Sequence, residues 1–381
     1  MYKEVLEPRH FVPRWRRIGC ALGCWLIWSI TSQQARAGGP DAELYARTVE
    51  RAIKYLGNQG QAEDGSYSKQ AGPGVTALAT TALLRHGRSA RDPVVAKSLK
   101  YLEGFVQPDG SVHPPKSRLP NYETCLAMVC FREANADGRY DEVLRRADGY
   151  VKGVQKGGED GKDESDVAYG GAGYGKDGRP DLSNTHFLVE ALRAAGNEED
   201  DESLKKALVF ISRCQNLETE HNATEYAALV NDGGFYYTPA GGTNPEDKTA
   251  NGGLRSYGSM TYAGLKSMLF AGVGPDDPRV KAALDWVKMH YDLGSNPGMG
   301  QAGLYYYYHL FAKALDAIGD EVLVDGEGSE HEWRRELVDA LAERQAENGS
   351  WSNPDARWLE GDPNLCTGFA LLALSYCKPT P

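Results

Sequence analysis

The stretch "QAEDGSY" at residues 61–67 recurs as "QPDGSV" at 107–112 and as "QAENGSW" at 345–351. In each, Asp-Gly or Asn-Gly supplies the positive φ of a tight turn, and the residue after Ser is placed to fold back onto a helix. Three copies in one chain mark a repeat, and each copy sits between two helical patterns.

The helix before the turn is amphipathic. Tyr45, Val49, Ile53 and Leu56 fall on one face ahead of the first copy, and Trp333, Leu337 and Leu341 do so ahead of the last. Such a helix has one wet side. The helix after the turn, as in "GVTALATTALL" and "LCTGFALLALSYC", is apolar nearly all round, the pattern of an element buried on several sides. Outer helix, turn, inner helix is therefore the unit.

Six inner helices share one register. Counting back 11 residues from Gly87, Asn135, Gly196, Gly272, Gly319 and Lys378 gives Thr76, Thr124, Thr185, Thr261, Tyr308 and Thr367. Five of the six end residues are Gly or Asn, as helix C-caps prefer. Six helix pairs can close into a ring without an exposed end, so the expected fold is all-α: an α/α toroid with inner and outer barrels of six helices each. The six register residues are expected near one end of its central cavity.

The first 37 residues read differently. Arg14, Arg16 and Arg17 precede a mainly apolar run from Ile18 to Ile30, which is followed by Ala35-Arg36-Ala37. That is the layout of a secretory signal peptide, with residues 38–381 as a single toroid domain. The run is short for a bilayer span, so no stable membrane span is expected in the mature protein, which would be exported to a periplasmic or extracellular space. Cleavage after Ala37 would move the net charge from −11 to −15. An acidic surface repels phosphate backbones, which argues against nucleic acid as a partner. The five remaining cysteines, Cys125, Cys130, Cys214, Cys366 and Cys377, are odd in number and scattered, unlike a disulfide framework. Nothing in the sequence sets an oligomeric state.

The turn Gln-x-x-Asp-Gly-Ser-Trp between helices resembles the QW motif of the prenyltransferase and squalene oxidase repeat family, which includes squalene-hopene cyclases and protein prenyltransferase β subunits. The likeness spans residues 41 to 378, with the turns of repeats three to five degenerate. It implies the same toroid but not one chemistry, because this fold hosts several. In the cyclases an Asp-x-Asp-Asp-Thr segment opens an inner helix, and its middle Asp protonates an alkene. Here the corresponding segment is Asp181-Leu182-Ser183-Asn184-Thr185, with Ser183 in place of the acid. Neither a hydroxyl nor an amide supplies such a proton. Asp181 also reads simply as a helix cap, with Ser183 and Asn184 as polar lining. The zinc-binding Asp-x-Cys of the prenyltransferases is absent from this chain.

The candidate acids and bases are Glu123, Asp181, His186 and His309, expected to gather with Asn184 at one end of the inner barrel. Tyr122, Ser183, Asn184, Tyr262, Tyr306 and Tyr307 are the expected ligand contacts, with the phenol rings as walls for a cationic intermediate. No cofactor is expected. The one alternative is zinc on Cys125, His186 and His309, all three of which stand one position past the shared register. The expected partner is a small apolar, isoprenoid-like molecule in the lumen. A non-catalytic binding or scaffold toroid and a polysaccharide-processing toroid remain open as alternatives.

Overall fold

The computed structural model describes residues 39–158, 160–240 and 247–379, so the expected leader at residues 1–37 lies outside the described residues. Thirteen α-helices and one two-stranded ribbon, Leu323–Val324 with Glu330–His331, occur among them. The inner helices are α2 (Pro73–Arg85), α4 (Pro120–Glu133), α6 (Leu182–Ala194), α9 (Gly258–Phe270), α11 (Leu304–Ile318) and α13 (Pro363–Leu374). They touch in cyclic order, and α13 closes the ring onto α2. Around them stand α1 (Ala42–Tyr55), α3 (Pro93–Glu103), α5 (Asp141–Val154), α7 (Glu202–Arg213), α10 (Pro278–Met289) and α12 (Trp333–Arg344). Each of these packs on one or two inner helices, as α5 does on α4 and α6. A single turn, α8 (Ala227–Val230), lies in the long connection before α9.

Local chemistry explains where these helices begin. Asp41, Asp92, Asp201 and Asp277 cap four outer helices by accepting backbone N–H groups of the first turn, each bond contributing about 1 kcal/mol. The inner helices are apolar on all sides because they sit between the lumen and the outer ring. Every residue of α9 is buried.

The repeated turn is a clamp. Its glycines Gly65, Gly110, Gly170, Gly233 and Gly349 all have φ between +80° and +91°. A Cβ on any of them would strike the backbone of the following outer helix, at 1.7 Å from the Lys206 carbonyl oxygen for Gly170. In four of the five turns the glutamine that opens the turn reaches the same helix, while Gln107 of the second repeat bonds within its own turn, to the Phe105 and His113 carbonyls. Gln61 donates to the Val94 carbonyl at 2.7 Å, Gln155 to Ser203 at 2.8 Å, Gln215 to Arg279 at 2.9 Å and Gln345 to Thr48 at 2.9 Å. Repeats three and four, degenerate by sequence, thus keep the glutamine and the glycine, with insertions of different length between them.

The five register threonines hold these turns from the other side. Their Oγ1 atoms accept the backbone N–H of Tyr67, Val112, Ala172, Phe235 and Trp351 at 2.9–3.1 Å. The threonines therefore hold the turns from the inner helices. In the fifth repeat, where Tyr308 takes the register position, Asn296 substitutes by accepting the Ser259 N–H at 3.0 Å and donating to the Ala302 carbonyl at 3.0 Å. The five described cysteines are buried free thiols.

Candidate functional site

Read along the inner helices, the lumen is built in levels one turn apart, because i and i+4 share a face. The level five residues past the shared register carries Thr81, Val129, Glu190, Lys266, Lys313 and Leu372. Glu190 lies between two lysines: Oε1 accepts from Lys266 and Oε2 from Lys313, the latter at 2.6 Å. All three side chains are at most 7% exposed. Burial works to raise the Glu190 carboxyl, but the two ammonium groups outweigh it and hold it well below the usual carboxylate range. Burial pulls Lys266 down to about 8 and Lys313 also downward, against the attraction of Glu190.

One turn above, a hydrogen-bonded chain runs from this cluster to the end of the barrel. Lys266 Nζ lies 3.0 Å from His186 Nδ1, His186 Nε2 is 2.6 Å from the Tyr306 hydroxyl, and that hydroxyl is 3.1 Å from Ser183 Oγ. An ammonium only donates, so Nδ1 must accept and the imidazole is the neutral Nε2–H tautomer. Burial, followed by the Lys266 charge, pushes His186 down to about 3, which agrees with that assignment. Nε2–H then donates to Tyr306, Tyr306 donates to Ser183, and Ser183 ends the chain as a donor.

That end of the lumen is aromatic. Tyr122 packs edge-on against Phe187 at 5.2 Å and near Tyr174 at 6.2 Å, while Tyr306 lies 6.3 Å from Phe187 and 5.7 Å from Phe369. Tyr122, Ser183 and Tyr306 are partly exposed although their neighbours on the same helices are mostly buried. A cavity of about 30 Å³ lies toward the rim among Tyr236, Tyr237, Leu254, Tyr257 and Met299. A second, of about 20 Å³, lies in the lumen among Leu78, Leu126, Phe187, Glu190, His309 and Lys313.

Of the residues expected to act together, the structure joins His186, Ser183 and Tyr306, with Tyr122 beside them. Asp181 and Asn184 form their own pair: the Asp181 carboxylate caps α6 at the Asn184 N–H, 2.8 Å away, and takes both contacts of the Asn184 amide nitrogen at 2.9 and 3.1 Å. Burial raises Asp181 to about 6. Glu123 lies in the first turn of α4, where it accepts from Ser117 at 2.5 Å beside Gly72, and burial raises its pKa. Tyr262 and Tyr307 are fully buried and pack on each other at 5.6 Å. Both also touch Phe311, which meets Trp333 of the outer ring, so these two rings belong to the layer between barrels. His309 stacks on Phe369 at 5.9 Å, and its buried Nδ1 has no hydrogen-bond partner among the described residues.

The zinc set does not fit. Both His186 nitrogens are engaged by Lys266 and Tyr306, and Cys125 points its thiol to Asn121 Oδ1 at 3.6 Å. Among the described residues no three His, Cys, Asp or Glu side chains are spaced to hold a metal.

Glu190, Lys266 and Lys313 were absent from the sequence-based candidates, yet the signal was present. Reading the shared register one turn beyond His186 and His309 lands on Glu190 and Lys313. Three ionisable residues at one level of otherwise apolar helices mark a polar layer in the lumen.

No protein-family model matches the chain, and no curated protein does. Solved structures do. A variant of the type II terpene cyclase MstE from Scytonema, bound to geranylgeranyl dihydroxybenzoate, superposes with a TM-score of 0.56 at 14% identity, covering 89% of this chain and 98% of that one. Another variant of the same enzyme, bound to merosterolic acid A, gives 0.53 at 14% identity over 88% and 97%. A polysaccharide lyase is found at 0.49 and 11% identity, too remote to carry an argument. The chain therefore has a terpene cyclase-like toroid fold. None of its described helices is long and apolar enough to cross a membrane.

Proposed function

We propose that this chain is an exported member of the prenyltransferase and squalene oxidase repeat family that binds a small, mainly apolar, isoprenoid-like molecule at the aromatic end of its inner barrel, without cyclising it by alkene protonation. The observation that carries this reading is the partial exposure of Tyr122, Ser183 and Tyr306 at the top of an otherwise buried barrel. Tyrosine and phenylalanine faces supply apolar contact, and Ser183 supplies a donor for one polar group, the composition usual for small-molecule sites. Below, the Glu190–Lys266–Lys313 layer closes the lumen, so the ligand occupies only the upper levels. That the similar terpene cyclase holds geranylgeranyl dihydroxybenzoate supports the ligand class. Export rests on the layout of residues 1–37.

Alkene protonation needs a strong, oriented acid. The carboxyl in the segment that corresponds to the cyclase motif, Asp181, is committed to Asn184 and to the helix cap, and a group near pKa 6 is a weak acid for that task. Purified protein incubated with squalene is expected to yield no hopene, and turnover would end the non-cyclase half of the proposal. For the binding half, farnesol titrated onto the protein is expected to raise its melting temperature. Tyr306→Ala should weaken that binding by roughly 1 to 3 kcal/mol through loss of ring contact and of the hydrogen-bonded chain. A folded Tyr306→Ala protein with undiminished affinity would place the ligand elsewhere.

A further inference from the structure

The lumen carries more positive than negative charge. Arg85 on α2, Glu133 on α4, Glu190 on α6, Lys266 on α9 and Lys313 on α11 are its ionised groups, with Tyr376 past the end of α13 completing the ring. Arg85 Nε binds Glu133 at 2.7 Å and its Nη1 binds Tyr376 at 2.7 Å. Three cations thus face two carboxylates. The two histidines in the same space do not change the sum, since burial keeps His186 and His309 neutral. Among the described residues one positive charge is left without a counter-charge where side chains are 0 to 25% exposed, a costly arrangement unless something compensates it.

The place for compensation is built. Arg85, Lys313, Glu190, His309 and Thr81 supply the polar wall of the 20 Å³ lumen cavity, and leucines, Val129 and Phe187 supply the rest. Lys313 and Arg85 both retain N–H groups beyond those given to Glu190, Glu133 and Tyr376. His309 is 3% exposed, and its Nδ1 lacks a partner among the described residues. As the Nδ1–H tautomer it donates. A cavity of this size takes a species of one or two waters' bulk and excludes a diphosphate.

We propose that the lumen binds one small monovalent anion, of the halide class, against Lys313, Arg85 and His309. This site lies below the tyrosine-lined end and is independent of what binds there. The test is thermal unfolding of the full mature chain at pH 7 in sodium gluconate, whose anion is too large for the cavity, with bromide exchanged in at constant ionic strength. Bromide is expected to raise the melting temperature by about 2 to 5 °C and then saturate, as mass action on one site requires. Lys313→Met, which leaves two cations facing two carboxylates, should abolish the response. Bromide-soaked wild-type crystals keep the test decisive if that variant does not fold, because an anomalous peak is expected in the cavity beside Lys313. Equal melting in bromide and gluconate, a response undiminished in Lys313→Met, or crystals with bromide only on the surface would each overturn the assignment. The first of these outcomes would mean that a lysine sheds its proton instead.

Discussion

Glu190→Gln is expected to destabilise the fold by about 3 to 5 kcal/mol, the cost of removing one partner from a buried ion pair. Glu190 is the carboxylate bridging Lys266 and Lys313, and a neutral amide would leave two ammonium groups facing each other without it. His186 cannot relieve them, because its neutral ring already accepts from Lys266. Replacing a lysine is different. Lys266→Met leaves Glu190 paired with Lys313 and substitutes an apolar chain of similar length, a change that is often neutral or stabilising. Urea unfolding of the three proteins separates these cases, and a Glu190→Gln protein as stable as wild type would show that the layer is not an ion cluster.

The pH dependence follows from the same charges. Lys266 is held at about 8 in the folded state, below its ordinary 10.5, so between these values the unfolded chain binds more protons and stability rises with pH. Below about 8 both states are protonated and this contribution is flat. Glu190 acts at the acid end: its folded pKa is depressed, so the stability it contributes is present above its ordinary 4.5 and is lost as pH falls through the folded value. Lys266→Met should remove the alkaline rise attributable to that amine and keep the acid loss.

The turn was readable because its chemistry is local. Gly65, Gly110 and Gly349 need positive φ, which a sequence advertises as Asp-Gly or Asn-Gly. The clamp made by Gln155 and Gln215 was not readable, because insertions of different length separate each glutamine from its glycine and only the folded chain restores the spacing. The lumen was harder for another reason. An inner helix is buried on every side, so periodicity does not say which face is the lumen. The level one past the register looked lumenal through His186 and His309. Yet at that level Gly368 meets Ala79 of α2 and Tyr262 meets Tyr307 of α11, so part of it lies between neighbouring inner helices. The ionised level one turn on was decided by pairing across α6, α9 and α11, which no single helix reveals.

Ring closure sets the second large effect: Gly349→Ala is expected to cost about 2 to 5 kcal/mol, from the strain of a side chain at positive φ and from overpacking. The last turn grips the first outer helix. Gln345 donates to Thr48 at 2.9 Å, and Arg51 returns Nη2 to the carbonyls of Ala346 and Glu347 at 2.8 and 3.2 Å. Gly349 has φ +91°, and a Cβ there would stand 2.4 Å from the Arg51 carbonyl oxygen and 2.7 Å from its carbon, so relief requires α1 to move away from the turn. That movement opens the seam where the end of the chain meets its beginning. Amide exchange in Ala42–Tyr55 should therefore quicken more than in α5, which stands two places round the outer ring from α1. Gly149→Ala is the control, since that glycine lies in helix α5 with nothing within 4 Å of the added carbon, and the change there should stabilise by up to about 1 kcal/mol. Equal exchange in α1 and α5 for Gly349→Ala, with stability unchanged, would mean that the contact between the last turn and α1 bears no strain and that the toroid is held shut by its inner helices alone.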